Sequence, residues 1–172
     1  MAKAITIFFS IKGQTLGAGM KIVEQEKGNT AIAAEFIHNA IGGEMFEIEA
    51  ARVYSKDHMT LINEAKQELQ AGTRVEVKKH PESLDDYDTI FLGYPNWWNT
   101  MPMVMFTFLE HYDWTGKRII PFCTNEGSGL GESVRDIKKI AKGADVKDGI
   151  SLTGSQVKNM EDRISAWAKE QL

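Results

Sequence analysis

The chain has 172 residues, of which 42% are hydrophobic and 26% are charged, and its formal net charge is -4. This length suits one domain with its own core, so we expect residues 1–172 to form a single domain. The weak negative charge does not favour a nucleic-acid or anionic-membrane surface. No apolar window is long enough to cross a bilayer. Because the chain enters an apolar strand almost at once, without a signal-peptide pattern, we expect a cytoplasmic protein.

Short β-rich runs alternate with stretches of helical period, as in βαβ units. The predicted strands, in chain order, are 4–9, 45–48, 88–93, 117–122 and 150–152. The predicted helices lie at 32–41, at 56–71, after Pro102, around 134–140, and at the end of the chain with Ser155 as cap. On the second helix we expect one apolar face, made of Met59, Ile62, Ala65 and Leu69. Five strands interleaved with helices predict a doubly wound α/β sheet.

The connection from Ser10 to Gly28 is far longer than the roughly 2–6 residues of a usual βα loop, and it has no clear periodicity. We expect a functional loop. Its small, hydroxyl and basic residues are candidates for binding a phosphate at a helix start: Ser10, Lys12, Gly28, Asn29 and Thr30. Alternatively, Asn29 or Thr30 only caps the helix. Neither GxxxxGK[ST] nor GxGxxG is present, which disfavours ATP and a Rossmann-bound dinucleotide.

The loop after the third predicted strand is rich in aromatic and amide side chains: Pro95, Asn96, Trp97, Trp98 and Asn99. Two adjacent tryptophans are costly to leave exposed without a purpose. We expect one indole to pack inward and the other to shield a ligand. The alternative is that both only pack the loop.

The loop after the fourth predicted strand combines glycine with polar residues: Thr124, Asn125, Glu126, Gly127, Ser128 and Gly129. By itself it would be an ordinary glycine-rich turn. In an open α/β sheet, however, this loop meets the other two at the carboxyl ends of the strands, where ligands bind. A phosphate pocket, an aromatic wall and a polar glycine edge together predict a mononucleotide with a flat ring.

These motifs resemble those of the flavodoxin family. Ser10 with residues 28–30 resembles its phosphate loop, split by an insertion, and residues 93–98 and 122–129 resemble the two flavin loops of a flavodoxin-like branch. The likeness covers nearly the whole chain. It implies a flavodoxin-like three-layer α/β sandwich with a five-stranded parallel sheet in the order 2-1-3-4-5. It also implies FMN, with its phosphate at Ser10, Asn29 and Thr30 and its ring between residues 95–99 and 124–129. Thr15 is the alternative to Thr30, which we prefer because the helical period begins directly after it.

Two functions are compatible with this resemblance. The first is an oxidoreductase that passes electrons from NAD(P)H through FMN to a quinone or similar small acceptor. The second is an electron carrier that docks to redox partner proteins. The second flavin loop lacks an aromatic residue, which would leave one ring face open and favours the oxidoreductase, provided that residues 11–27 do not cover that face. The resemblance leaves a monomer or a homodimer open.

The histidines and the single cysteine give no sign of further chemistry. The four histidines are scattered without metal-ligand spacing, so we expect no metal site. Cys123 lies in an apolar run, which indicates a packed residue rather than a nucleophile. The sequence identifies no catalytic side chain, because electron transfer through a flavin depends on positioning more than on a protein base.

Overall fold

A computed structural model of the protein describes residues 3–172. Within these residues the strands are β1 (Ala4–Phe9), β2 (Gly13–Leu16), β3 (Ile22–Gln25), β4 (Glu44–Ile48), β5 (Thr89–Pro95), β6 (Arg118–Asn125), β7 (Asp145–Val146) and β8 (Ile150–Thr153). The main sheet is parallel and has the order β4-β1-β5-β6, with β7 and β8 both paired to β6. The predicted order 2-1-3-4-5 is confirmed, except that β7 and β8 share the fifth position.

Helices cover both faces of this sheet. They are α1 (Asn29–Ile41), α2 (His58–Ala71), α3 (Met103–Glu110), α4 (Ser133–Ile140) and α5 (Glu161–Glu170). Successive strand residues point to opposite faces. Ile7 of β1 and Leu92 of β5 therefore enter the core beneath α2, α3 and α4, whereas Phe8 and Phe91 enter the core beneath α1 and α5. The three-layer α/β sandwich is confirmed, and its two buried faces explain the unbroken apolar strands.

The long connection after β1 is not an irregular loop. β2 and β3 pair antiparallel as a hairpin, joined through a short 3-10 helix at Ala18–Met20. Each strand has only four residues, and none of the residues of β2 or β3 is fully buried. Strands this short and this exposed give no alternation of apolar and polar residues, which is why the sequence pattern did not predict them.

Two details of the predicted helices were wrong. Ser155 does not cap the last helix: residues Gly154–Asn159 form a 3-10 helix, and α5 starts at Glu161. The hydroxyl and amide of Ser155 instead donate hydrogen bonds to Glu126, which lies far away in the sequence. On α2, Met59 is exposed to solvent, and the buried apolar residues are Leu61 and Ala65. None of the helices in residues 3–172 has the length and apolar character needed to cross a membrane.

Candidate functional site

A cleft of about 410 Å³ lies at the carboxyl ends of β1, β5 and β6. The loops after these strands contribute to its lining, as do the β2–β3 hairpin and α2. Its volume falls within the range of about 300–1,000 Å³ that is typical of small-molecule sites. The position is the one where open α/β sheets bind their ligands.

The start of α1 forms one end of this cleft. Gly28 precedes the helix, and a Cβ there would lie 2.2 Å from Ser10 Oγ and 2.3 Å from the carbonyl oxygen of Ile11. Only glycine therefore lets the chain leaving β1 approach the helix this closely. Ser10 Oγ accepts a hydrogen bond from the Ala31 amide at 3.2 Å. Within residues 3–172, the amides of Asn29 and Thr30 have no protein acceptor, so the helix start can offer both to an anion.

Thr30 joins this helix start to the end of β6. Its Oγ1 lies 2.8 Å from Oγ1 of Thr124, and both side chains are buried. Thr15, the alternative phosphate ligand, lies on β2 and also lines the cleft. Of the two threonines, only Thr30 belongs to the helix whose positive dipole end faces the cleft.

The two adjacent indoles diverge. Trp97 is half-buried and packs edge-on against Phe9 and Tyr54, with ring centroids 5.6 and 5.2 Å apart. Trp98 adopts a left-handed φ of 55° and remains 45% exposed, and its Nε1 donates to the carbonyl oxygen of Ile62 at 2.8 Å. Both indoles line the cleft. The expectation that one indole packs inward is confirmed, and the other is held against α2 at the cleft mouth.

Asn96 ties the aromatic loop to the glycine loop. Its Nδ2 donates to the carbonyl oxygen of Gly129 at 2.8 Å, and its Oδ1 accepts from the Asn99 amide at 2.9 Å. Its own amide donates to the carbonyl oxygen of Thr124 at 2.9 Å. One residue thus links the two loops through both its side chain and its backbone.

Asn125 and Glu126 shape the glycine loop itself. Asn125 Oδ1 accepts hydrogen bonds from the amides of Gly127 and Gly129, both at 3.0 Å. These glycines have φ values of 110° and 73°, in a region that other residues rarely adopt. Glu126 accepts from the Ser155 amide at 3.0 Å and also from its hydroxyl. The loop is therefore preorganised by its own side chains.

The family model described as flavodoxin matches residues 4–171 of the chain. The chain belongs to the flavodoxin family. None of the curated proteins matches it significantly.

Among solved structures, a candidate flavoprotein from Bacteroides eggerthii DSM 20697 is 28% identical, with a TM-score of 0.72 over 96% of this chain and 99% of that one. A second, from Bacteroides uniformis ATCC 8492, is 26% identical with a TM-score of 0.74, over 98% of each chain. A flavoprotein from Lactobacillus acidophilus NCFM, solved in complex with FMN, shares the fold at 18% identity and a TM-score of 0.65, over 92% of this chain and 98% of that one.

The cleft of this flavodoxin-family chain brings together most of the residues singled out from the sequence. Those that line it are Ser10, Asn29, Thr30, Pro95, Asn96, Trp97, Trp98, Thr124, Asn125, Glu126 and Ser128. Gly28, Asn99, Gly127 and Gly129 lie behind the lining and shape the loops.

Lys12 was predicted to contact the cofactor, and the structure does not place it there. It is exposed and does not line the cleft. Its ammonium lies near Glu47 of β4, where burial and Glu49 raise the pKa of the Glu47 carboxyl and Lys12 opposes that rise. Lys12 directly precedes β2, the first strand of the hairpin, which the sequence pattern did not predict.

Sequence reasoning missed two parts of the lining. The hairpin contributes Gln14, Leu16, Met20 and Gln25, and α2 contributes His58, Leu61, Ile62 and Ala65. The α2 set follows the spacing i, i+3, i+4, i+7, and two of its members, Ile62 and Ala65, belong to the apolar face predicted from the sequence; that face was not expected to line the cleft. No group of three or more His, Cys, Asp or Glu within residues 3–172 is arranged to hold a metal ion.

Proposed function

We propose that the cleft binds FMN, with the phosphate at the start of α1 and the ring between the aromatic loop and the glycine loop. One observation carries this proposal: amides that lack a protein acceptor at Asn29 and Thr30 share a single cleft with the indoles of Trp97 and Trp98. Helix-start amides suit a phosphate, and indole faces suit a flat aromatic ring. Within residues 3–172, no lysine or arginine lines the cleft, so neutral donors and the helix dipole would hold the phosphate.

Binding is tested with apoprotein titrated separately with FMN and with riboflavin. We expect tryptophan fluorescence to be quenched by both, because both carry the ring. FMN should bind more tightly, because only FMN presents a phosphate to α1. Equal affinities would move the phosphate site away from the helix start, and absence of quenching would refute the cleft as the flavin site.

We infer further that the protein is an oxidoreductase passing electrons from NAD(P)H to a quinone or similar small acceptor. Thr15, Leu16 and Met20 of the hairpin line the cleft, so the absence of an aromatic residue from the glycine loop does not by itself leave a ring face open. The same hairpin supports the inference in another way. Its apolar residues Leu16 and Met20 extend the cleft together with the apolar residues of α2, which would separate the flavin from a docking protein and leave room for a small planar acceptor.

One observation supports the electron-carrier function. Apolar side chains at and beside the cleft mouth are exposed, notably Met20 at 64%, Ile22 at 49% and Trp98 at 45%. An exposed apolar patch of this kind can mark a protein-docking surface.

The two functions are separated by NADH and NADPH oxidation assays of FMN-loaded protein, with and without 1,4-benzoquinone. The oxidoreductase predicts steady oxidation that requires the quinone and the loaded cofactor. Flavin reduction only through an added reductase protein, with no direct turnover of either nucleotide, would instead support the carrier.

A further inference from the structure

One wall of the cleft is a single face of α2. His58, Leu61, Ile62 and Ala65 line it at spacings that place them on the same side of a helix. Three of these residues are apolar. The imidazole of His58 is therefore the polar group on an otherwise apolar wall.

The two ring nitrogens of His58 are not equivalent. Nδ1 is buried and has no hydrogen-bond partner within residues 3–172, whereas Nε2 is not a buried atom without a partner. An unpaired buried N–H donor is rarer in proteins than an unpaired acceptor. We therefore assign the tautomer that carries its hydrogen on Nε2. This tautomer leaves a hydrogen-bond donor available to the cleft.

The surroundings hold His58 in place without using this donor. Gln14 Oε1 of the hairpin accepts a hydrogen bond from the His58 backbone amide at 2.9 Å. Oδ2 of Asp57, the residue before His58, accepts hydrogen bonds from the amide and hydroxyl of Thr60 rather than from the imidazole. Glu126, the other titratable residue of the lining, is occupied by Ser155.

The indole of Trp98 is anchored to the same wall. Its Nε1 donates to the carbonyl oxygen of Ile62, one helical turn beyond His58. An acceptor lying beside the indole would therefore have an apolar wall along its face and an imidazole N–H near its edge. That combination suits a planar ring that carries a carbonyl oxygen.

The geometry points to His58 as the group that binds a carbonyl oxygen of a quinone-type acceptor, by donating a hydrogen bond from Nε2. This inference rests on the proposed function. Reduction of a quinone to a hydroquinone takes up two electrons and two protons and converts two C=O groups to C–OH. FMN, when bound and reduced, would supply the electron pair and one proton, and water would supply the second proton. His58 contributes no proton: its N–H stabilises the negative charge that develops on the oxygen.

A donor aimed at developing oxyanion charge inside a water-poor site is worth far more than one in water. Loss of one such donor reduces turnover by about 10²–10³-fold in enzymes where it has been removed. An acceptor that develops no charge on a carbonyl oxygen should be insensitive to the same loss. This difference separates a binding role for His58 from a structural one.

The kinetic experiment uses FMN-loaded protein reduced chemically with dithionite, so that it does not depend on nicotinamide as donor. Reoxidation by 1,4-benzoquinone and by ferricyanide is followed in wild type, His58→Leu, His58→Gln and the control His38→Leu. His38 lies on α1, and its Nδ1 is likewise buried without a partner in the described chain. We expect His58→Leu to slow reoxidation by benzoquinone by about 10²-fold. His58→Gln should recover part of that rate through its amide N–H, and His38→Leu should leave the rates with both acceptors unchanged.

A second readout needs no turnover. The oxidised, FMN-loaded protein is titrated with 4-nitrophenol, whose phenolate places negative charge on a ring oxygen as the reduced quinone does. A hydrogen bond from Nε2 stabilises the phenolate, so we expect wild type and His38→Leu to lower the pKa of bound 4-nitrophenol. His58→Leu should abolish that shift.

The outcomes are distinguishable from failure of the proposed function. The role of His58 is overturned if His58→Leu slows reoxidation by benzoquinone and by ferricyanide equally, or if it leaves the pKa shift of bound 4-nitrophenol unchanged. Either result leaves FMN binding and nicotinamide oxidation intact. If His58→Leu misfolds, the comparison of His58→Gln with wild type decides. Absence of nicotinamide oxidation with a benzoquinone-specific defect in His58→Leu removes NAD(P)H as donor and supports the inference.

Discussion

Gly28→Ala is the substitution that most sharply probes the phosphate end of the cleft. Gly28 has a φ of -68°, which alanine adopts freely, so the effect is steric rather than conformational. The new Cβ would lie 2.3 Å from the Ile11 carbonyl oxygen, against an ordinary contact distance of 3.4 Å or more. The chain after β1 must therefore retreat from the helix by about 1 Å.

Such a displacement has two costs. The hydrogen bond from the Ala31 amide to Ser10 Oγ, already 3.2 Å long, is lost, at about 0.5–1.5 kcal/mol. Overpacking adds about 1–3 kcal/mol, and the stiffer unfolded chain returns about 0.4–1 kcal/mol. We expect the free energy of unfolding to fall by about 0.5–4 kcal/mol. Displacing Ser10 from the phosphate should lower the affinity for FMN by about 10–100-fold, which corresponds to the loss of one hydrogen bond to a charged group.

Urea unfolding of the apoprotein measures the first effect, and calorimetric titration with FMN and riboflavin measures the second. Gly17→Ala is the matched control, because it lies in the same insertion and its Cβ would meet chiefly the methyl groups of Val23, a partly exposed side chain that can turn. We expect that control to leave FMN affinity unchanged. If Gly28→Ala weakened riboflavin binding as much as FMN binding, the assignment of the phosphate to the helix start would be wrong.

Three further substitutions or treatments test other parts of the site. Thr30→Val leaves Thr124 Oγ1 without its buried partner and should lower the free energy of unfolding by about 1–3 kcal/mol; calorimetry should show a larger loss for FMN than for riboflavin. Trp98→Leu removes a ring-side contact and should weaken both ligands equally and reduce fluorescence quenching; a loss confined to FMN would contradict this. Burial raises the pKa of the Cys123 thiol to about 12, so little thiolate forms near neutral pH, and a disulfide reagent should label Cys123 slowly in native protein and completely in urea. Rapid native labelling would show that β6 is more open than described.

The fold was predictable because the apolar runs of β1, β5 and β6 are continuous, and buried parallel strands require such runs. Their order followed from the family resemblance. The hairpin was not predictable, since β2 and β3 are four residues long and held by pairing with each other and contact with α2.

The candidate site was also predictable only in part. Loop compositions after each strand indicated most of the cleft, because the carboxyl ends of parallel strands converge. Contacts between distant segments could not be predicted from the sequence, such as those of Glu126 with Ser155 and of Gln14 with the His58 amide. Lys12 was assigned to the cofactor from its place in the sequence, but it is exposed and does not line the cleft.

A crystal structure grown with FMN tests most directly whether the carboxyl ends of β1, β5 and β6 form one cleft for FMN. We expect phosphate oxygens within hydrogen-bond distance of the Asn29 and Thr30 amides, with the ring between the aromatic loop and the glycine loop. Crystals saturated with FMN in which the cleft is closed by its own side chains, or in which the phosphate lies elsewhere, would contradict it.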